Sequence, residues 1–119
     1  MNVTDAAGFL AEYGSRFTND AVRAWCWGDD DAIFGKREAW SVGHASTVEA
    51  IASVDLSENQ LQLTITERDV ATSTEGSDTH TVFDVLLDFD EQTLTVDGEA
   101  LLCSHEAVLE AIEQFNRRA

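Results

Sequence analysis

The chain of 119 residues contains no proline, a single lysine (Lys36) and only two cysteines, Cys26 and Cys103. Without proline or any low-complexity stretch there is no linker on which to divide it, and no internal repeat marks a solenoid. Residues 1–119 are therefore expected to form a single globular domain. Two cysteines allow one disulfide by arithmetic, but in a reducing cytoplasm the default is a pair of free, largely buried thiols. No apolar run approaches the ~20 residues of a membrane span, and nothing near the start joins basic residues to an apolar run as an export signal does. The expected location is cytoplasmic, with no membrane partner.

Positive charge is also scarce. Seven Lys and Arg residues stand against 23 Asp and Glu, for a formal net charge of −16. Nucleic acid is excluded as an expected partner, because phosphate binding needs a basic stripe that releases counterions. A hydrophobic content of 44% argues against a disordered chain despite that charge. The carboxylates are spread from Asp5 to Glu113 rather than gathered in a block, which describes a solvated surface rather than an acidic tail. Such a surface repels itself in dilute buffer, whereas near 1 M salt the Debye length falls to about 3 Å and the repulsion largely disappears. The composition thus reads as adaptation to a very salty cytoplasm.

What is present is apolar periodicity of two kinds. Ala6, Phe9, Leu10, Tyr13 and Phe17 recur at helical spacing after Thr4, a suitable N-cap, with Asp5 complementing the dipole and Gly8 and Gly14 weakening the helix. Residues 20–27 fit either a short helix or a strand, with a lean to strand on aromatic content. Gly28-Asp29-Asp30-Asp31 and Gly35-Lys36-Arg37 read as turns, and Trp40, Val42 and His44 then alternate with Ala39, Ser41 and Gly43.

From Val48 the period is two. Val48, Ala50, Ala52, Val54 and Leu56 share a face, Ser57-Glu58-Asn59 turns the chain, and Leu61, Leu63 and Ile65 follow. After a turn at residues 75–78, Phe83, Val85, Leu87 and Phe89 point one way and Asp84, Asp88 and Asp90 the other, towards water. Leu94 and Val96 continue the meander, and Asp97-Gly98 is a tight-turn signal returning Ala100 to Leu102. Ser104 caps a last helix whose stripe is Val108, Leu109, Ile112 and Phe115, with Glu113 placed to pair with Arg117. The expected fold is α+β, an antiparallel β-meander of about five to six strands with an N-terminal and a C-terminal helix packed on one face.

Several patterns carry hints of chemistry. Gly28 to Lys36 fails as a phosphate loop, since its glycine spacing is too long, it contains three aspartates, and Arg37 replaces the required hydroxyl residue. Asp88 to Glu99 has the length of a calcium loop, but Thr93 stands where the sharp turn needs glycine, and a hairpin with acidic loops is expected instead. Cys26, His44, Cys103 and His105 make a Cys2His2 inventory in which only the last two lie close in sequence, so the expectation is no metal and no cofactor. Cys26 with His44 or His80 as base, or Asp84 as a general base, are isolated catalytic options without a surrounding motif.

Trp25, Trp27 and Trp40 are all the tryptophan there is. They suit ordinary packing, or an aromatic wall for a small ligand or a protein partner. The function expected is accordingly a non-catalytic binding or protein-interaction domain. The alternatives are a small enzyme with a pocket between sheet and helix using a His or carboxylate as acid/base, and self-association as a homodimer.

Overall fold

In the computed structural model, residues 3–18, 36–45, 48–57, 59–69 and 79–118 are described. Helix α1 (Ala6–Tyr13) runs into a 3-10 turn (Gly14–Arg16), and Ala6, Phe9, Leu10, Tyr13 and Phe17 are all buried. Its cap is Asp5 rather than the expected Thr4. The apolar stripe starts at Ala6, so the residue just before it holds the extended backbone of a cap (φ −153°, ψ 172°), and its Oδ1 accepts the Gly8 N–H at 2.7 Å.

Among the described residues six strands follow in one antiparallel sheet: β1 (Lys36–Ala45), β2 (Val48–Leu56), β3 (Gln60–Asp69), β4 (Thr79–Asp88), β5 (Thr93–Val96) and β6 (Glu99–Leu101). Their spatial order is their order in sequence, the meander that period-2 hydrophobicity implies. Lys36 and Arg37 belong to β1 rather than to a turn. The register sets them opposite Leu56 and Asp55, so backbone pairing with β2 carries the ladder through both residues. The options for residues 20–27 and the turns at 28–31 and 75–78 lie outside the described residues.

The tight turns follow their chemistry. Asp97 and Gly98 both have positive φ, 52° and 81°, as a two-residue type I′ hairpin requires. Between β4 and β5, Asp88 Oδ1 accepts the N–H groups of Asp90 and Glu91 at 3.0 and 2.9 Å, which folds residues 89–92 into a compact loop. Gln92 closes that loop from inside, its Nε2 donating to the Phe89 carbonyl at 2.7 Å and to the Val3 carbonyl at 2.6 Å.

Helix α2 (His105–Arg118) begins where Ser104 Oγ accepts the Ala107 N–H at 3.1 Å, the expected cap. Val108, Ala111, Ile112 and Phe115 form its buried stripe, while Leu109, expected with them, is half-buried because it lies about 100° round the helix from Val108. Glu113 pairs with Arg117 at 3.2 Å, and the Arg118 guanidinium sits 4.7 Å from the Phe83 ring centre.

Both helices contribute to the same core as the inner face of the sheet. Phe9 meets Phe89 at 5.7 Å between ring centres, and Phe17 meets Phe115 edge-on at 6.1 Å. Asn116 locks the helices together: its Nδ2 donates to the Arg16 carbonyl at 2.9 Å and its Oδ1 accepts the Thr18 N–H at 3.2 Å. The outer sheet face carries Gln62, which donates to Asp84 at 3.1 Å, and Ser53, hydrogen-bonded to Thr64. The inner face is less complete at the start of β2, where Val48 is exposed and Ala50 half-buried.

Candidate functional site

Along α1, from Val3 before it to its last residue Tyr13 beside the start of α2, runs a groove of about 570 Å³ lined by Val3, Asp5, Gly8, Glu12, Tyr13 and His105 among others. Two features of α1 build it. Asp5 and Glu12 lie two helical turns apart on one face, and Gly8 between them has no side chain. A Cβ on Gly8 would stand 3.1 Å from Asp5 Oδ1 and 3.6 Å from a Val3 methyl group, so glycine keeps this stretch of the groove clear.

At the inner end, Tyr13 Oη and His105 Nδ1 are 2.8 Å apart, with the rings tilted and their centres 5.5 Å from each other. Tyr13 is only 1% exposed, so its hydroxyl must find a partner within the protein. Burial pushes the phenol above its ordinary value, and the neighbouring Glu12 and Cys103 add to the shift. Tyr13 therefore keeps its proton at neutral pH, and its hydroxyl shares a hydrogen bond with His105 Nδ1. Cys103 is half-buried just before α2, and burial pushes its thiol up as well, away from the thiolate that nucleophilic chemistry needs.

The residues singled out by sequence are scattered. Trp25, Trp27 and Cys26 lie outside the described residues. Trp40 is in β1 opposite Ala52, and His44 is in the same strand opposite Glu49, but their side chains also lie outside the described set. Among the described residues no group of three or more His, Cys, Asp or Glu side chains is placed to hold a metal ion. Within the Cys103 and His105 pair, His105 is exposed at the start of α2 and engages Tyr13. His80 is exposed on β4, 3.5 Å from Glu67, while Asp84 is half-buried on the outer face beside Gln62. No described helix is long and apolar enough to cross a membrane.

Sequence reasoning placed Tyr13 in the core, gave Gly8 only a helix-weakening effect and Asp5 only a complement to the helix dipole, and so missed the groove they share. One signal was available. A lone tyrosine in an otherwise apolar helical stripe brings a hydroxyl that has to be satisfied. No family model matches the chain, and no curated protein or solved structure is significantly similar to it.

Proposed function

We propose that the protein is a non-catalytic binding or protein-interaction domain of a salt-rich cytoplasm, and that it binds through the groove between α1 and α2. The observation carrying this reading is the groove itself. Its volume of about 570 Å³ is of the size that accommodates a ligand, and it combines an apolar wall at Val3 with a few placed polar groups at Asp5, Glu12 and His105. Trp25, Trp27 and Trp40 are proposed as a further part of the binding surface. Native mass spectrometry of the protein purified from its own cytoplasm should find a retained mass, and tryptophan fluorescence should change when that mass is removed. A bare chain whose fluorescence does not respond to any cytoplasmic fraction would end this reading. Light scattering at high salt tests the homodimer in the same preparation.

A second reading, a small acid/base enzyme, draws support from the Tyr13–His105 hydrogen bond, since it orients a histidine beside a cavity, where a proton could be moved. The retained molecule separates the two. Recovery of that molecule unchanged after prolonged incubation favours binding, whereas conversion that His105→Gln abolishes favours the enzyme.

Salt adaptation rests on the net charge of −16. Dialysis from multimolar KCl into dilute buffer should abolish the far-ultraviolet dichroism of the folded chain. The same melting curve at both salt levels would refute it.

A further inference from the structure

We infer that two copies of this chain associate edge to edge through β6, independently of the groove, with Leu101 of one copy facing Leu101 of the other. Leu101 and Leu102 are neighbours in the chain and are 40% and 84% exposed, whereas the other large apolar side chains described are buried or half-buried, except Val48. Both leucines sit at the margin of the sheet, and no described strand lies beyond β6. An apolar edge of this kind presents unpaired backbone groups to any strand that reaches it.

The hairpin fixes which groups those are. A two-residue turn makes Val96 and Glu99 a hydrogen-bonded pair, and bonding then alternates along the ladder, so that Leu94–Leu101 is bonded and Thr95–Ala100 is not. The N–H and C=O of Ala100 therefore point away from β5, as do those of Leu102 two residues on. The Leu102 carbonyl already accepts the Ser104 N–H at 2.8 Å, and its second lone pair remains. One antiparallel two-fold register uses all of these groups, with Ala100 bonded to Leu102 of the second copy and Leu102 to its Ala100. That register is also self-complementary in shape. Leu101 meets its own counterpart at the close, non-bonded position, and the side chain of Leu102 lies over the small Ala100 opposite. It keeps like charges apart as well, because Glu99 faces Cys103 of the second copy and stands about 14 Å along the ladder from the other Glu99, beyond the ~10 Å Debye length at 0.1 M salt. So short an edge covers less than the ~800 Å² per partner of a stable interface, which makes the dimer a reversible one.

The test is sedimentation equilibrium and amide exchange of the full chain, in KCl sufficient to keep it folded, from about 10 µM to about 1 mM. The dimer fraction should rise over that range while exchange slows at Ala100 and Leu102 and stays constant at Leu101, whose amide is already bonded to Leu94. In a mixed sample of labelled and unlabelled chains, the Leu102 methyl groups should show contacts to the Ala100 methyl of the second copy. Ala100→Pro removes an N–H that β5 does not use, and Leu102→Lys places a charge on an exposed position. Each should weaken association at least about tenfold and leave the melting curve of the dilute monomer unchanged. A monomer at every concentration leaves the edge to a strand of some other protein and overturns the self-pairing. A dimer that both variants form as readily as the parent, or intermolecular contacts that join β6 to a different element, would overturn it too.

Discussion

Phe9 and Tyr13 stand four residues apart on α1, and both are almost fully buried, at 0% and 1% exposed. Phe9 lies among Tyr13, Phe17 and Phe89, and nothing but area and shape holds it there. Tyr13 ends in a hydroxyl whose partner, His105, is 92 residues away. One region is a sealed interior that many apolar side chains of the right volume could fill. The other is a seam with a single directional contact, beside a cavity. The chain therefore uses one helix for two purposes, anchoring on the sheet side and shaping a groove at its edge.

The largest effect that would separate the two regions is at Phe9. Phe9→Ala should cost about 3–5 kcal/mol, read from denaturant melts in KCl, as the anchor of α1 loosens. A loss below about 1 kcal/mol would mean that α1 is not anchored there. Tyr13→Phe keeps the ring and removes only the hydroxyl. A cost of about 0.5–1.5 kcal/mol is expected, with the sheet spectrum unchanged and the His105 ring resonances displaced. Unmoved His105 resonances would break the comparison, because the seam would then lack its directional contact.

The smallest effect lies at the β4–β5 turn, on its solvent side. The Asp88 carboxylate is held below the usual carboxylate range by the N–H of Glu91, then by the Gln60 side chain and the N–H of Asp90. Its folded-state value is depressed, so the stabilisation is present above the unfolded-state value and is lost as pH falls through the folded one. Amide exchange at Glu91 should accelerate over that acid range, and Asp88→Asn should flatten the response without disturbing Phe9 or Tyr13.

Much of the fold was legible because it is local. Alternation from Val48 onward, the Asp97-Gly98 dipeptide, the Ser104 cap and the Glu113–Arg117 spacing are each decided within a few residues, and each is where it was expected. The misreadings were also local, a cap displaced by one residue to Asp5 and a turn at Lys36-Arg37 that the facing strand draws into β1. The groove was not legible, because it depends on which helix ends meet. His105 was noticed for its neighbour Cys103, whereas its partner is a tyrosine at the far end of the sequence.

The spatial order of the strands has a consequence for how the molecule assembles. In a meander each strand pairs with its predecessor, so the sheet grows through contacts between neighbours in sequence, with low closure entropy. The hydrogen bonds joining the two ends of the chain, Tyr13 to His105, Arg16 and Thr18 to Asn116, and Val3 to Gln92, span 89 to 100 residues. They reward the chain only once the sheet exists, so the groove is expected to form last and to open first. Substitutions at Tyr13 or Asn116 should accordingly speed unfolding and leave the folding rate unchanged, while those in β3 and β4 should slow folding. Stopped-flow measurements that placed both effects on the same arm of the chevron would refute that order.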